Sequence, residues 1–185
     1  MNINKKIIIG LFVLTSLIQF AAPISMIWEK EKITQKGTEF KFKTRPIDPY
    51  DPFRGKYIIL YFENTNVTVS NIHEWKNIKE GYFMIEKDSE GFAKVVSAHI
   101  EKPKVGNYIK MQCYHYYGSD NTINFRYPFE RFYMNENEAL NAEKAYRLSN
   151  RDRNKENAYA IVKVLKGETV LEDVIIGGKS AKDLM

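Results

Sequence analysis

Between positions 7 and 27 the chain carries 21 residues that are apolar apart from Thr15, Ser16, Gln19, Pro23 and Ser25. A helix of that length, at about 1.5 Å per residue, matches a hydrocarbon core of about 30 Å. Lys5 and Lys6 precede the run and no acidic residue does. The positive-inside bias therefore predicts a cytoplasmic N-terminus with the remainder of the chain across the bilayer, and Trp28 falls where an interfacial aromatic belongs. The competing reading is a signal peptide, removed to release a secreted or periplasmic domain. Its apolar core spans about 7–15 residues and closes on small residues, whereas this run is longer and Ala21-Ala22 passes directly into Pro23. The pattern favours a retained anchor.

After the run the periodicity changes. Residues 29–35 are polar and charged and extend the helix until Gly37 ends it, giving a short juxtamembrane stalk over 29–37. Phe40, Phe42 and Thr44 alternate with Lys41 and Lys43, the pattern of a half-exposed strand. From 57 to 62 both parities are apolar, which predicts a central strand covered on both faces. Residues 64–71 are rich in threonine and asparagine, and 73–80 read as a loop or a short helix. Residues 81–86 and 92–100 flank a turn-rich spacer and form a hairpin, and 108–117 with 122–127 form a second across Gly118-Ser119-Asp120-Asn121. Asn135 caps a helix with helix formers and an apolar stripe at Ala139, Leu140, Ala142, Ala145, Tyr146 and Leu148, and Glu136 and Glu138 suit its N-terminal dipole. A polar loop over 149–157 leads to a third hairpin, 158–165 with 169–176, after which Gly177-Gly178 ends the order.

These elements predict an α+β fold: an N-terminal transmembrane helix followed by a β-rich antiparallel domain, a small barrel or sandwich, with one α-helix. The divisions are 1–28 for the cytoplasmic N-terminus and anchor, 29–37 for the stalk, and 38–185 for a single extracytoplasmic domain.

Charge narrows the partners. With Lys5 and Lys6 assigned to the anchor, 26 basic residues face 23 acidic ones. That near balance, without a lysine- or arginine-rich block interleaved with aromatics, excludes a nucleic-acid footprint. The sole cysteine, Cys113, forms no intramolecular disulfide and lies far from the apolar run, which speaks against a lipoprotein anchor.

The most specific segment runs from Arg45 to Phe62. Asp48-Pro49 and Asp51-Pro52 fix two backbone angles and push each aspartate out of helical geometry, so a stiff turn precedes the strand. Gly55 supplies backbone freedom where that strand begins. Gly55-Lys56-Tyr57-Ile58-Ile59-Leu60-Tyr61-Phe62 resembles the signature of the GDYXXLXY proteins, an uncharacterised bacterial membrane-anchored family, with Gly55, Tyr57 and Leu60 matching. Phe129-Glu130-Arg131-Phe132-Tyr133-Met134 is similar to a second segment of that family. Lys56 stands where the family has Asp, and Phe62 where it has its final Tyr. A carboxylate exchanged for an ammonium keeps no metal-ligand or general-base role, and a phenol exchanged for a phenyl ring keeps only its volume. The signature therefore reads as turn geometry and packing. The resemblance implies an envelope location and a multi-span membrane protein as partner; it carries no catalytic role.

The remaining chemistry is sparse. Arg45, Asp48, Asp51, Arg54 and Tyr57, joined by Glu130 and Arg131, are the candidate polar cluster; the simpler reading of Glu130-Arg131 is a salt bridge fixing a connection. Cys113 and His115 share a strand face, the spacing of a thiol with its base or of half a metal site, although an aromatic strand more simply holds Cys113 as a small core residue. No phosphate loop, Gly-x-Ser-x-Gly elbow or His-Glu-x-x-His helix is present, and no cofactor or metal is expected. Two classes follow: an accessory or interaction module docking on a membrane or periplasmic partner, helped by some of the 12 tyrosines and 11 phenylalanines; or an extracytoplasmic hydrolase acting on peptide or cell-wall material. A module binding a small ligand lies between them.

Overall fold

The structure, a computed structural model, describes residues 5–44, 57–114, 121–133 and 158–183. In chain order these form α1 (Lys5–Lys36), β1 (Thr38–Lys43), β2 (Tyr57–Ile59), β3 (Asn66–Thr68), a short 3-10 helix (Ile72–Trp75), β4 (Glu80–Lys87), β5 (Ala93–His99), β6 (Tyr108–Tyr114), β7 (Thr122–Arg126), β8 (Arg131–Tyr133), β9 (Ala158–Leu165), β10 (Glu168–Ile176) and β11 (Lys179–Ser180). One long apolar helix followed by antiparallel sheets is the α+β arrangement expected. The helix predicted from Asn135 and the loop over 149–157 lie outside the described residues.

The helix passes through Pro23 and continues to Lys36. Its large apolar side chains between positions 7 and 28 are exposed. Its few hydroxyls turn inward on the backbone: Thr15 donates to the Leu11 carbonyl at 2.8 Å, Ser16 to Phe12 at 2.9 Å and Ser25 to Ala22 at 2.7 Å. Hydroxyls satisfied in this way cost little in an apolar surrounding, so they do not break the run. At its other end the helix closes against protein. The Gly37 N–H donates to the Ile33 carbonyl at 2.8 Å, Ile33 is buried, and the Lys30 ammonium donates to the Thr169 carbonyl at 3.3 Å. The stretch read as a stalk is thus helix to Lys36, with its last turns packed on β9 and β10.

One sheet has the order β1-β9-β10-β11, all antiparallel. Phe40 and Phe42 of β1, opposite Val162 and Ala160, face the core while Lys41 points away. Lys166 and Gly167, with φ of 52° and 94°, form the two-residue turn between β9 and β10; a left-handed pair matches the twist of the strands it joins. Gly177 and Gly178, with φ of 57° and 81°, repeat this geometry. The expectation that order ends there is corrected: the pair turns the chain back into β11, and Ala181 beyond it is fully buried.

A second sheet has the order β3-β7-β6-β4-β5. Its outermost strands come together, where Asn64 Oδ1 accepts from the Val95 N–H at 2.9 Å, so the sheet curls toward a barrel. Ile109, Met111 and Cys113 of β6, Phe83 and Ile85 of β4, and Ile123 and Phe125 of β7 fill its interior. Both hairpins predicted here form, the second paired from Gln112 opposite Arg126 to Tyr114 opposite Asn124. The threonine- and asparagine-rich stretch holds β3, with Val67 and, just past it, Val69 buried at alternate positions.

The strand expected over 57–62 is also corrected. Only Tyr57–Ile59 forms β2, and it pairs with β8 alone. Leu60 and Phe62 are buried, but Tyr61 is 54% exposed, so the segment is covered on one side. The chain leaves the ladder after Ile59: the Leu60 N–H donates to the Glu130 carbonyl at 2.7 Å and Phe62 bridges to Thr44 of the first sheet. Those links, with bridges from Lys41 to Phe92 and from Ile109 to Gly167, join the sheets around a common core.

Candidate functional site

A β-strand sends alternate side chains to opposite faces. In β6 this turns Met111 and Cys113 inward and leaves Lys110, Gln112 and Tyr114 outside. Antiparallel register then sets Glu80 of β4 opposite Gln112, and Gln112 opposite Arg126 of β7. With Asn77 and Lys79, which follow the 3-10 helix, these residues line an open groove of about 880 Å³, with Ile78, Cys113 and Tyr114 completing its wall. A recess of about 290 Å³ continues from Glu80, Gln112 and Arg126 past Lys110 to Pro128.

The groove mixes polar and apolar surface, and its charged groups are internally paired. Lys110 Nζ lies 2.6 Å from Glu80, and this hydrogen bond, then the carboxylate's charge, raises the lysine's pKa above the ordinary value. Arg126 Nε lies 3.6 Å from Glu130. Partial burial pushes the Glu130 carboxyl up, against the opposing pull of Arg126 and Arg131. The Cys113 thiol donates to the Ile78 carbonyl at 3.5 Å, and burial, with Glu80 adding to it, raises its pKa to about 11. A thiol raised in this way carries little thiolate, the nucleophilic form, at neutral pH. The arrangement presents hydrogen-bonding groups of both signs to an occupant.

Of the candidate cluster, Arg45, Asp48, Asp51 and Arg54 lie outside the described residues, as do Gly55, Lys56 and His115; Tyr57 is placed by its backbone in β2. Glu130 borders the groove through Arg126, and Arg131 begins β8 opposite Ile59 on its exposed side. Leu60 is core. Phe62, the last signature position, joins Phe42, Tyr127 and Phe129 in a buried aromatic cluster and lines a recess of about 250 Å³ rimmed by Lys43, Glu63, Asn64, Asp88 and Lys94. Glu80, Lys110, Gln112 and Arg126 were not singled out from the sequence. No local spacing marks them, because only the register of three strands brings them together. Among the described residues, no group of three or more His, Cys, Asp or Glu side chains is placed to hold a metal ion.

A long apolar helix, antiparallel sheets with one nearly closed, and an open groove of mixed charge define, among the described residues, an α+β protein with one helix long and apolar enough to cross a membrane. The chain belongs to the GDYXXLXY protein family, whose model matches residues 19–174, from within the apolar run to the last core strand. No curated protein and no solved structure matches it.

Proposed function

We propose that the protein is an accessory or interaction module of the bacterial envelope. Residues 1–28 supply a cytoplasmic N-terminus and a retained membrane anchor, 29–37 the junction, and 38–185 an extracytoplasmic domain that docks on a multi-span membrane protein. The observation that carries this reading is the junction itself. The apolar helix runs without interruption into the domain, where Ile33, Lys30 and Gly37 fasten its end to β9 and β10. Cleavage after the small residues Ala21-Ala22 would leave Ile24, Ile27 and Trp28 bare in water on a helix still bound to the sheet; retention puts them in lipid and at its interface. The groove along Glu80, Gln112 and Arg126 is the docking face in this reading, since its mixed charges suit a polar protein surface better than a reacting centre. The hydrolase alternative rests on Arg45, Asp48, Asp51 and Arg54, which lie outside the described residues, together with Glu130, which pairs with Arg126.

A photo-reactive residue at Gln112 in the full chain tests this in intact cells. Formation of one reproducible adduct with a membrane protein, from material resistant to alkaline extraction and of full-length mass, is the expected result. A mature chain beginning near residue 26 would remove the anchor, and the absence of any discrete adduct would remove the partner.

A further inference from the structure

The helix and the sheets share a geometric relation that fixes which side of the domain faces lipid. Gly37 sits against Lys163 and Val164 of β9, whereas Lys30 reaches Thr169 and Glu168 of β10. Those seven residues rise about 10 Å along the helix axis. Since Val164 and Thr169 are direct partners across the ladder, stepping from β9 to β10 is a step down the helix toward its apolar run. At that end of the hairpin β6 meets the β9–β10 turn: Ile109 bridges to Gly167, and the Lys110 N–H donates to the Gly167 carbonyl at 2.9 Å. Beyond β6 lies β4, then β5.

Both β5 and β6 run antiparallel to β4 on its two sides, so residues 100–107 that join them must cross β4. They cross on its outer surface. The Asn107 carbonyl accepts from the Ile85 N–H at 2.9 Å, and Gly106, with φ of 94°, packs so closely on Met84 that an added Cβ would lie 2.5 Å from its methyl carbon. The crossing leaves Val105 at 83% exposure with Lys102 and Lys104 exposed beside it, against the single acidic Glu101.

Resting on the retained anchor proposed above, we infer that this crossing loop seats on the anionic lipid surface beside the span, with Val105 inserted at headgroup level and Lys102 and Lys104 on lipid phosphates. An apolar tip flanked by lysines is the chemistry of an interfacial contact. Trp28 at the end of the apolar run and Lys30 on β10 are only two residues apart, so no gap separates the domain from the bilayer.

The test uses the full chain in lipid vesicles, carrying Cys113→Ala and an environment-sensitive fluorophore at Val105→Cys. A second sample carries the label at Ser89→Cys, in the β4–β5 turn. If Cys113→Ala fails to fold, the native Cys113, buried and protonated, is kept instead. Lipid-borne quenchers at headgroup depth are expected to quench the label at 105 several-fold more than that at 89 in vesicles containing phosphatidylglycerol. The difference should shrink in pure phosphatidylcholine and in Lys102→Glu/Lys104→Glu. Equal quenching at 105 and 89 overturns the contact, and an unchanged difference in neutral lipid overturns its anionic selectivity. Cleavage of the anchor in cells would appear separately in the intact mass, so loss of the anchor and loss of the loop contact are told apart.

Discussion

The ring of Phe62 lies 4.6 Å from that of Tyr127, centroid to centroid, tilted by 57°, and both are buried. The last position of the family signature therefore acts as an aromatic post between the sheets. It also touches Phe42 and Phe129. Phe62→Ala should cost about 3–5 kcal/mol by leaving a cavity in this cluster, measured by chemical denaturation. A loss below about 1 kcal/mol would show the post is not needed.

Tyr127→Phe has the opposite expectation. Burial raises the phenol's pKa, and its hydroxyl makes no hydrogen bond among the described residues. Removing an unpartnered buried hydroxyl should be neutral or stabilising by up to about 1 kcal/mol. A clear drop in melting temperature would reveal a partner for it.

The junction should be sensitive to single atoms. A Cβ at Gly37 would meet the Ile33 carbonyl at 2.4 Å and Lys163 Cβ at 3.1 Å. Gly37→Ala is expected to destabilise by about 1–3 kcal/mol and to expose the backbone near Ile33, read as faster amide exchange there. Unchanged exchange would contradict a tight junction.

Two turn glycines offer an internal control. Gly167 and Gly178 both have left-handed φ, but a Cβ at Gly167 would strike the Tyr108 ring at 2.9 Å while Gly178 faces open space. Gly178→Ala should cost about 1–2 kcal/mol for the backbone conformation alone, and Gly167→Ala more. Equal melting temperatures for the two variants would mean that the Tyr108 contact relaxes freely.

Cys113 predicts a pH dependence. Its thiol, at 9.0 in the ordinary case, is raised to about 11 in the fold. The unfolded chain gives up this proton first, so the thiol's contribution to stability is complete below about pH 9 and is lost as pH rises toward about 11. At slightly alkaline pH its thiolate population is about 100-fold lower than that of a free thiol, and alkylation should be slower by at least that factor. Rapid modification of the folded protein would contradict this.

How much of this was legible beforehand depends on how local each signal is. The hairpins around Lys87-Asp88-Ser89-Glu90-Gly91 and Lys166-Gly167-Glu168 carry alternation and turn residues within a short window, and both form. The helix end at Gly37 was equally visible. The run ending at Phe62 misled because apolar residues at both parities imply two covered faces, while Tyr61 points to solvent and Leu60 leaves the ladder for Glu130. Two adjacent glycines at 177 and 178 suit an end of order as well as a turn; their left-handed conformation makes a turn into β11. Of the groove, the sequence marks Cys113 in its wall and Glu130 at its border through Arg126. Glu80, Gln112 and Arg126 are polar residues on outward strand positions, unremarkable until register aligns them.

The clamp of Gly37, Ile33 and Lys30 has a mechanical meaning. A bilayer that thickens or thins changes the tilt of a span embedded in it. In the anchored form proposed above, with helix running unbroken from the apolar run to β9–β10, such a change in tilt would pass to the sheets and the domain would turn with the span as a lever.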